Sequence, residues 1–254
     1  MSNFRHPDES VEMRSCGVTF GKGHPPPAHL RESAGWHQLI YATRGVMTVY
    51  TERGAWVVPP HRGVWIPAGF TYRLEFSGVV ALRMLFVKPR RRTTLRTCSV
   101  VNVSPLLREL IVRTNLIGAL DSRIPEQRRL AAVILDEFKA LETVPLQLPF
   151  PRDRRAAEFA NLVSNEAHGK MPMARVIRRC GASRRTLERL FRLETAMSLG
   201  QWLRRQKLLQ SLRRLAGGEG VESVALELGY NSSSAFIAMF RKELGQTPRR
   251  YFDA

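Results

Sequence analysis

Residues 181–202 read GASRRTLERLFRLETAMSLGQW, and residues 230–251 read YNSSSAFIAMFRKELGQTPRRY. Laid over each other at an interval of 49 positions, they set Ser183 on Ser232, Leu187 on Phe236, Phe191 on Phe240, Arg192 on Arg241, Glu194 on Glu243 and Trp202 on Tyr251. Agreement at one interval over this many positions means that the chain carries two copies of one supersecondary unit. Each copy predicts a helix, a tight turn and a second helix. In the first copy Met173, Val176, Ile177 and Cys180 make an apolar stripe. Gly181 ends that helix, as glycine does where φ must be positive, and Ser183 caps the next. Leu187, Leu190 and Phe191 then face inward. In the second copy Val224, Ala225 and Leu228 form the stripe, Gly229 ends the helix, Ser232 caps its successor, and Phe236, Met239 and Phe240 turn inward.

The outward faces of the two second helices suit the major groove of DNA, which admits one helix whose N-terminal residues reach base edges. Base contacts are expected from Ser183, Arg184, Arg185 and Arg189 in the first copy, and from Ser232, Ser233, Ser234 and Ile237 in the second. Between the copies, Ser198 to Ala216 predicts one long helix of about 28 Å at ~1.5 Å per residue. One turn of B-DNA is ~34 Å, so such a rod can hold two recognition helices in successive grooves. Arg204, Arg205, Lys207, Arg241, Lys242, Arg249 and Arg250 are the expected phosphate contacts, which add affinity and salt dependence rather than sequence preference. A helical bundle with a basic solvated face is the plainer alternative. Duplication, turn glycines and caps together weigh against it.

The bulk composition agrees. The 254 residues carry a formal net charge of +18 and a pI near 11.1, a balance that calls for a polyanionic partner. Residues 152–254 hold 20 Lys+Arg against 10 Asp+Glu, so the positive charge is densest toward the C-terminal end. Cys16, Cys98 and Cys180 are scattered, with no CxxC pair and no disulfide framework. The polar N-terminus has no apolar signal core, and no run approaches the ~20 apolar residues of a membrane span. A cytoplasmic protein without membrane association is expected.

Upstream, residues 14–88 are rich in Val, Tyr, Trp, Phe, Gly and Pro. Short apolar runs at Gln38–Ala42, Val46–Tyr50, Ala55–Val58, Gly63–Ile66 and Val79–Val87 are punctuated by turn residues, the rhythm of a small β-barrel or sandwich. Residues 89–150 open with Arg90, Arg91 and Arg92 and predict two helices. One starts at Ser104-Pro105 and one at Pro125, the latter with a Leu130, Val133, Ile134, Phe138, Leu141 stripe. The proline-rich stretch 145–151 reads as a linker.

The segment 220–251 closely resembles the signature of the AraC/XylS transcription regulators. The residues that carry the likeness are Ala225, Gly229-Tyr230, Phe236-x3-Phe240, Gly245-x-Thr247-Pro248 and Tyr251, and Gly181–Phe191 resembles the family's other half. One departure is Thr195-Ala196, where the family usually has glycine, and a modest change of turn geometry is expected there. The N-terminal zone is similar to the cupin-like sensor domain of such regulators, on Gln38-x6-Gly45, Pro59-Pro60 and Trp65-Ile-Pro-Ala-Gly69. Metal-binding cupins place HxH before a Glu and a later His; here Gln38 takes the Glu position, residues 31–34 supply no His, and Tyr72 takes the late His position. His24, His29, His37 and His61 are out of register, with His29 and His37 the nearest to a ligand pair. No metal, no cofactor and no catalysis are therefore expected, and no GxSxG, HExxH or phosphate loop is present. Trp36, Gln38, Tyr41, Trp56, Trp65 and Tyr72 are candidate pocket residues for a small organic effector, and each is as readily core packing.

The expected fold class is α+β: a cupin-like β-barrel at 14–88, a helical linker or dimerisation region at 89–150, and an all-α DNA-binding domain at 152–254. Its two helix-turn-helix units fall at about 173–193 and 222–243. The expected partners are double-stranded DNA, a small-molecule effector, a second copy of the chain, joined through the barrel or through the 130–141 stripe, and RNA polymerase; the stripe reads equally as an amphipathic face packed on the chain's own barrel. A cupin metalloenzyme with an accessory helical domain is the alternative.

Overall fold

The computed structural model describes residues 10–21, 35–89, 95–164 and 171–252. The chain divides into two units: Met1–Thr51 with Trp56–Pro145, and Glu52–Ala55 with Leu146–Ala254.

The first unit holds β1 (Val11–Phe20), β2 (His37–Thr51), the Trp56–Val58 part of β3 (Gly54–Val58), β4 (Arg62–Ile66), β5 (Arg73–Val87), β6 (Ser99–Asn102), α1 (Pro105–Ile117), β7 (Ala119–Asp121), α2 (Pro125–Lys139) and β8 (Thr143–Val144). The strands pair in the order β7-β1-β5-β2-β4-β6-β8, and β3 pairs with β2. Two of the expected runs, 38–42 and 46–50, are one strand. The pairing of β2 with β5 slips between Ala42 and Val46, where Gly45 takes φ 75° and a Cβ would stand 2.4 Å from the Val79 carbonyl oxygen.

Register decides which side chains share a face. Leu39 lies opposite both Trp65 and Leu85, and Met13 opposite Val87. One face therefore gathers Met13, Leu39, Tyr41, Trp65 and Leu85, and α1 and α2 cover it with Leu107, Ile111, Ala131, Ile134 and Phe138. The other face carries Cys16, Gln38, Ile40, Val64, Ile66, Met84, Phe86 and Val100.

Three expectations change here. The hydrogen-bonded path has separate ends at β7 and β8 among the described residues, so it does not close as an ideal barrel would. The helices expected as a linker belong to the first unit's core. Of that stripe, Ile134 and Phe138 are at most 3% exposed and Leu130 and Leu141 pack partly on the same core, while Val133 is 42% exposed, so most of the face expected to pair two chains is used within one chain. The basic cluster Arg90–Arg92 lies outside the described residues.

The second unit holds β9 (Gln147–Pro149), α3 (Arg154–Ser164), α4 (Met173–Arg179), α5 (Arg184–Thr195), α6 (Leu199–Ala216), α7 (Val221–Glu227), α8 (Ser233–Leu244) and α9 (Pro248–Phe252). The stretch 145–151, read as a linker, contains β9. Leu146 and Leu148 are buried, and the Trp202 indole N–H donates to the Pro149 carbonyl at 2.9 Å. Two aromatic clusters organise the helices. Phe191 meets Phe159 and Trp202 edge-on at 5.7 and 5.1 Å, and the row Tyr230, Phe236, Phe240, Tyr251 follows at 5.5–5.8 Å.

Candidate nucleic-acid interface

Each helix-turn-helix is built by the same local chemistry. The α4 helix runs to Arg179, Cys180 closes it, and Gly181 turns the chain at φ 62°. Ser183 then caps α5 by accepting from the Thr186 N–H at 3.1 Å. In the second copy Leu228 closes α7, Gly229 turns at φ 77°, and Ser232 caps α8 by accepting from the Ala235 N–H at 3.2 Å. The first helices repeat at an interval of 48 and the second at 49, so the second turn is one residue longer. Both turns place the cap serine where its hydroxyl satisfies a backbone N–H that the helix leaves unpaired.

Burial separates inward from outward positions. In α5, Leu187, Leu190 and Phe191 are buried, while Arg184, Arg185, Glu188, Arg189 and Arg192 are exposed. In α8, Phe236 and Phe240 are buried, Ser234, Ala238, Arg241 and Lys242 are exposed, and Ser233 and Ile237 are half-buried. Arg184 bonds Glu188 at 3.1 Å across one helical turn. Among the described residues Arg185 and Arg189 have no such partner. Ser234, Ile237, Ala238, Arg241, Lys242 and Thr247 line an open depression on the outer face of α8. Ala238 and Thr247 were not among the expected contacts. Carrying Arg189 forward by 49 positions would have found Ala238.

The α6 helix joins the two copies. Its start is a capping box: Ser198 accepts from the Gln201 N–H, and the Gln201 side chain accepts from the Ser198 N–H at 2.8 Å. Trp202 packs on Phe191 of α5, the Lys207 ammonium sits 5.5 Å from the Tyr230 ring centre, and Arg214 pairs with Glu219 and with Glu227 of α7. The expected phosphate contacts divide accordingly. Arg204, Arg241, Lys242, Arg249 and Arg250 are exposed. Arg205 is half-buried, with its guanidinium 3.4 Å from the Gln147 carbonyl, and Lys207 is half-buried over Tyr230; burial lowers the pKa of both. Their stems serve packing, and their charges are less open than those of the other five.

The expected change of turn geometry at Ala196 is a modest one: its ψ is 16° where that of Gly245 is −13°, and it is the Gly245 N–H that bonds back to the Arg241 carbonyl. Ala196 ends α5 at φ 58°, ψ 16°, in the same left-handed region where Gly245 ends α8 at φ 79°. The turn is kept, and an alanine bears the strain.

In the first unit the expected pocket residues separate. Gln38 and Tyr72 meet: the Tyr72 hydroxyl donates to Gln38 Oε1 at 2.6 Å, and burial pushes the phenol's pKa well up. Tyr41 and Trp65 lie on the opposite face of the sheet from Gln38, in the core beneath α1 and α2. The Trp65 indole N–H donates to the Leu95 carbonyl at 2.9 Å. Trp56 is buried in β3, and Trp36 is half-buried between the Arg14 guanidinium and the Lys88 ammonium, 5.8 and 6.0 Å from its ring. His37 Nδ1 accepts from the Ala68 N–H at 2.9 Å, and burial lowers its pKa. Among the described residues no three His, Cys, Asp or Glu side chains group as metal ligands would. His24 and His29 lie outside the described residues. Among the described residues no helix is long and apolar enough to cross a membrane.

Residues 176–254 match the family model described as a helix-turn-helix domain. The HTH-type transcriptional regulator NimR of Escherichia coli K12 is 36% identical over 217 residues, covering 84% of this chain and 78% of that protein. The HTH-type transcriptional activator RhaR of Yersinia pseudotuberculosis serotype O:1b is 38% identical over 68 residues, 26% of this chain and 23% of that protein. A crystal structure of the DNA-binding domain of AdpA in complex with a target DNA aligns over 40% of this chain and 92% of its own, at 31% identity and a TM-score of 0.36.

Proposed function

The chain belongs to the AraC/XylS family of helix-turn-helix transcription regulators, and on that premise we propose that it binds double-stranded DNA by sequence, with α5 and α8 entering successive major grooves. The observation that carries this reading is the matched pair of capped helices, each buried on one side and open on the other, tied to one connecting helix. The 18 residues of α6 span about 27 Å at ~1.5 Å each, somewhat less than one turn of B-DNA. Arg185, Arg189, Ser233, Ser234 and Ile237 meet base edges, with Arg184 held by Glu188 until DNA competes for it. The cap serines Ser183 and Ser232 border the bases while satisfying backbone N–H groups. Arg204, Arg241, Lys242, Arg249 and Arg250 meet phosphates.

The first unit is the regulatory part. A small organic effector engages it on the sheet face that carries Gln38 and Tyr72, the face that α1 and α2 leave uncovered, and favours one arrangement of a homodimer over another. An effector shifts that balance only by binding one arrangement more tightly. A cytoplasmic location and contact with RNA polymerase complete the reading. The relatives that match are transcription regulators, and they lend no support to a metalloenzyme.

Genome-wide footprinting followed by competition binding at fixed salt tests the proposal. A discrete set of sites that outcompete random duplex at least about 10³-fold is expected of a specific binder. Equal affinity for every duplex would overturn it.

A further inference from the structure

We infer that the two recognition helices read different base chemistry: α5 a groove marked by guanine, through Arg185 and Arg189, and α8 a groove marked by thymine methyl groups, through Ile237 and Ala238. This rests on the DNA-binding reading and adds to it a chemical polarity of the operator.

The repeat itself supplies the comparison. At the interval of 49, the outward stripe Arg185, Glu188, Arg189, Arg192 of α5 falls on Ser234, Ile237, Ala238, Arg241 of α8. The buried positions of the two helices coincide, Leu187 with Phe236 and Phe191 with Phe240, so the two stripes face the same way from equivalent frames. The scaffold is the same, and the chemistry presented on it is not. The first stripe carries three arginines that have no hydrogen-bonding or ionic partner among the described residues, and Arg185 and Arg189 are the two nearest the start of the helix. A guanidinium matches guanine O6 and N7 with two parallel donors. Glu188 between them is an acceptor, suited to the cytosine amino group on the other strand.

In the second stripe the three N-terminal positions are short or apolar. Ile237 and Ala238 line the open depression together with Ser234, Thr247, Arg241 and Lys242, the last two toward the C-terminal end of α8. The depression has no cation among its first three stripe positions and no carboxylate in its lining. The thymine C5 methyl is the one apolar group that base pairs project into the major groove. Burying it against Ile237 and Ala238 is the contact this surface is shaped to make, and the small side chains at Ser234 and Ala235 permit close approach. Arg241 and Lys242 then lie where the phosphate backbone passes.

The experiment uses the full-length protein and a binding box enriched from random duplex. Each thymine is replaced singly by deoxyuracil, which removes only the methyl group, and each guanine by 7-deazaguanine, which removes only N7. Deoxyuracil penalties of about fourfold each, the worth of one buried methyl group, are expected to cluster in one half of the box. Deazaguanine penalties of roughly tenfold are expected in the other half, one helical turn away. Ile237→Ala should remove at least one deoxyuracil penalty and keep every deazaguanine one, and Arg185→Ala should remove at least one deazaguanine penalty and keep every deoxyuracil one. Penalties of both kinds mixed through both halves, or no deoxyuracil penalty anywhere, would overturn the inference while leaving specific binding intact. Failure to enrich any box would instead refute the DNA-binding reading beneath it. The analogue series on the wild-type protein stands even if a variant folds poorly.

Discussion

Ala196 and Gly245 make a matched experiment that the protein has set up internally. Both end a recognition helix in the left-handed region, at φ 58° and φ 79°, and a Cβ at Gly245 would meet nothing within 4 Å. Space therefore plays no part at Gly245, and backbone strain is the main cost of a Cβ there. A residue with a Cβ in this region costs ~1–2 kcal/mol relative to its ordinary conformation. Glycine recovers that cost but gives the unfolded chain more freedom, which offsets ~0.4–1 kcal/mol. Ala196→Gly should then stabilise the second unit by about 0.5–1 kcal/mol, and Gly245→Ala should destabilise it by about as much. Each moves the melting temperature about 1–4 °C, in opposite directions. Urea unfolding followed by far-ultraviolet circular dichroism measures both. The Gly245 N–H bond to the Arg241 carbonyl at 2.8 Å is backbone and survives the change, so no lost contact confuses the reading. If Ala196→Gly lowers stability, or Gly245→Ala leaves it unchanged, alanine is not bearing strain at the end of α5.

Other outcomes can be checked in parallel. Arg185→Ala should relax base preference at one or two positions by ~1–3 kcal/mol, whereas Arg249→Ala should weaken all sequences alike and flatten the slope of log affinity against log salt by about 0.9; exchange of the two behaviours would reverse the roles assigned to them. His37 is favoured in its neutral form by burial and accepts a bond from the Ala68 N–H, so its folded pKa lies below the ordinary 6.5. The unfolded chain then takes up the proton first, and this part of the first unit's stability, present above about pH 6.5, is lost as pH falls below it. His37→Asn, which keeps an acceptor, should flatten that loss in a pH series of unfolding curves; an unaltered slope would place the acid sensitivity elsewhere. Burial pushes the Cys98 thiol up to about 12, so a thiol reagent at pH 8 should label it in denaturant and scarcely in the native protein, as peptide mass mapping would read; rapid native labelling would contradict that burial.

The helix-turn-helix pair was legible because every signal that specifies it is local. Gly181, Ser183, Gly229 and Ser232 dictate turns and caps within three or four residues of themselves, and Leu187, Phe191, Phe236 and Phe240 show the helical period directly. Duplication then supplied an internal control that single motifs lack. The sites on α5 and α8 followed as the complement of the buried positions. Arg205 and Lys207 read no differently from Arg204 in one dimension. Only the packing of α6 shows that the first two lie half-buried against Gln147 and Tyr230 while the third is open.

The first unit was legible in class but not in detail. Short β-rich runs marked a sheet, yet whether Tyr41 and Trp65 line a pocket or a core depends on strand register, and register joins residues 22 to 50 positions apart. The stripe on α2 is equally apolar whether its partner is another chain or its own sheet, and burial of Ala131, Ile134 and Phe138 was decided by the fold. By itself, then, the order of residues determined two capped helix pairs, their outward chemistry and a cationic surface, because propensity, capping and charge act over a few ångströms of chain. Which aromatic side chains meet, which cations are covered and which helix face is spent were settled only by the tertiary structure, because those outcomes depend on distant segments competing for the same buried area.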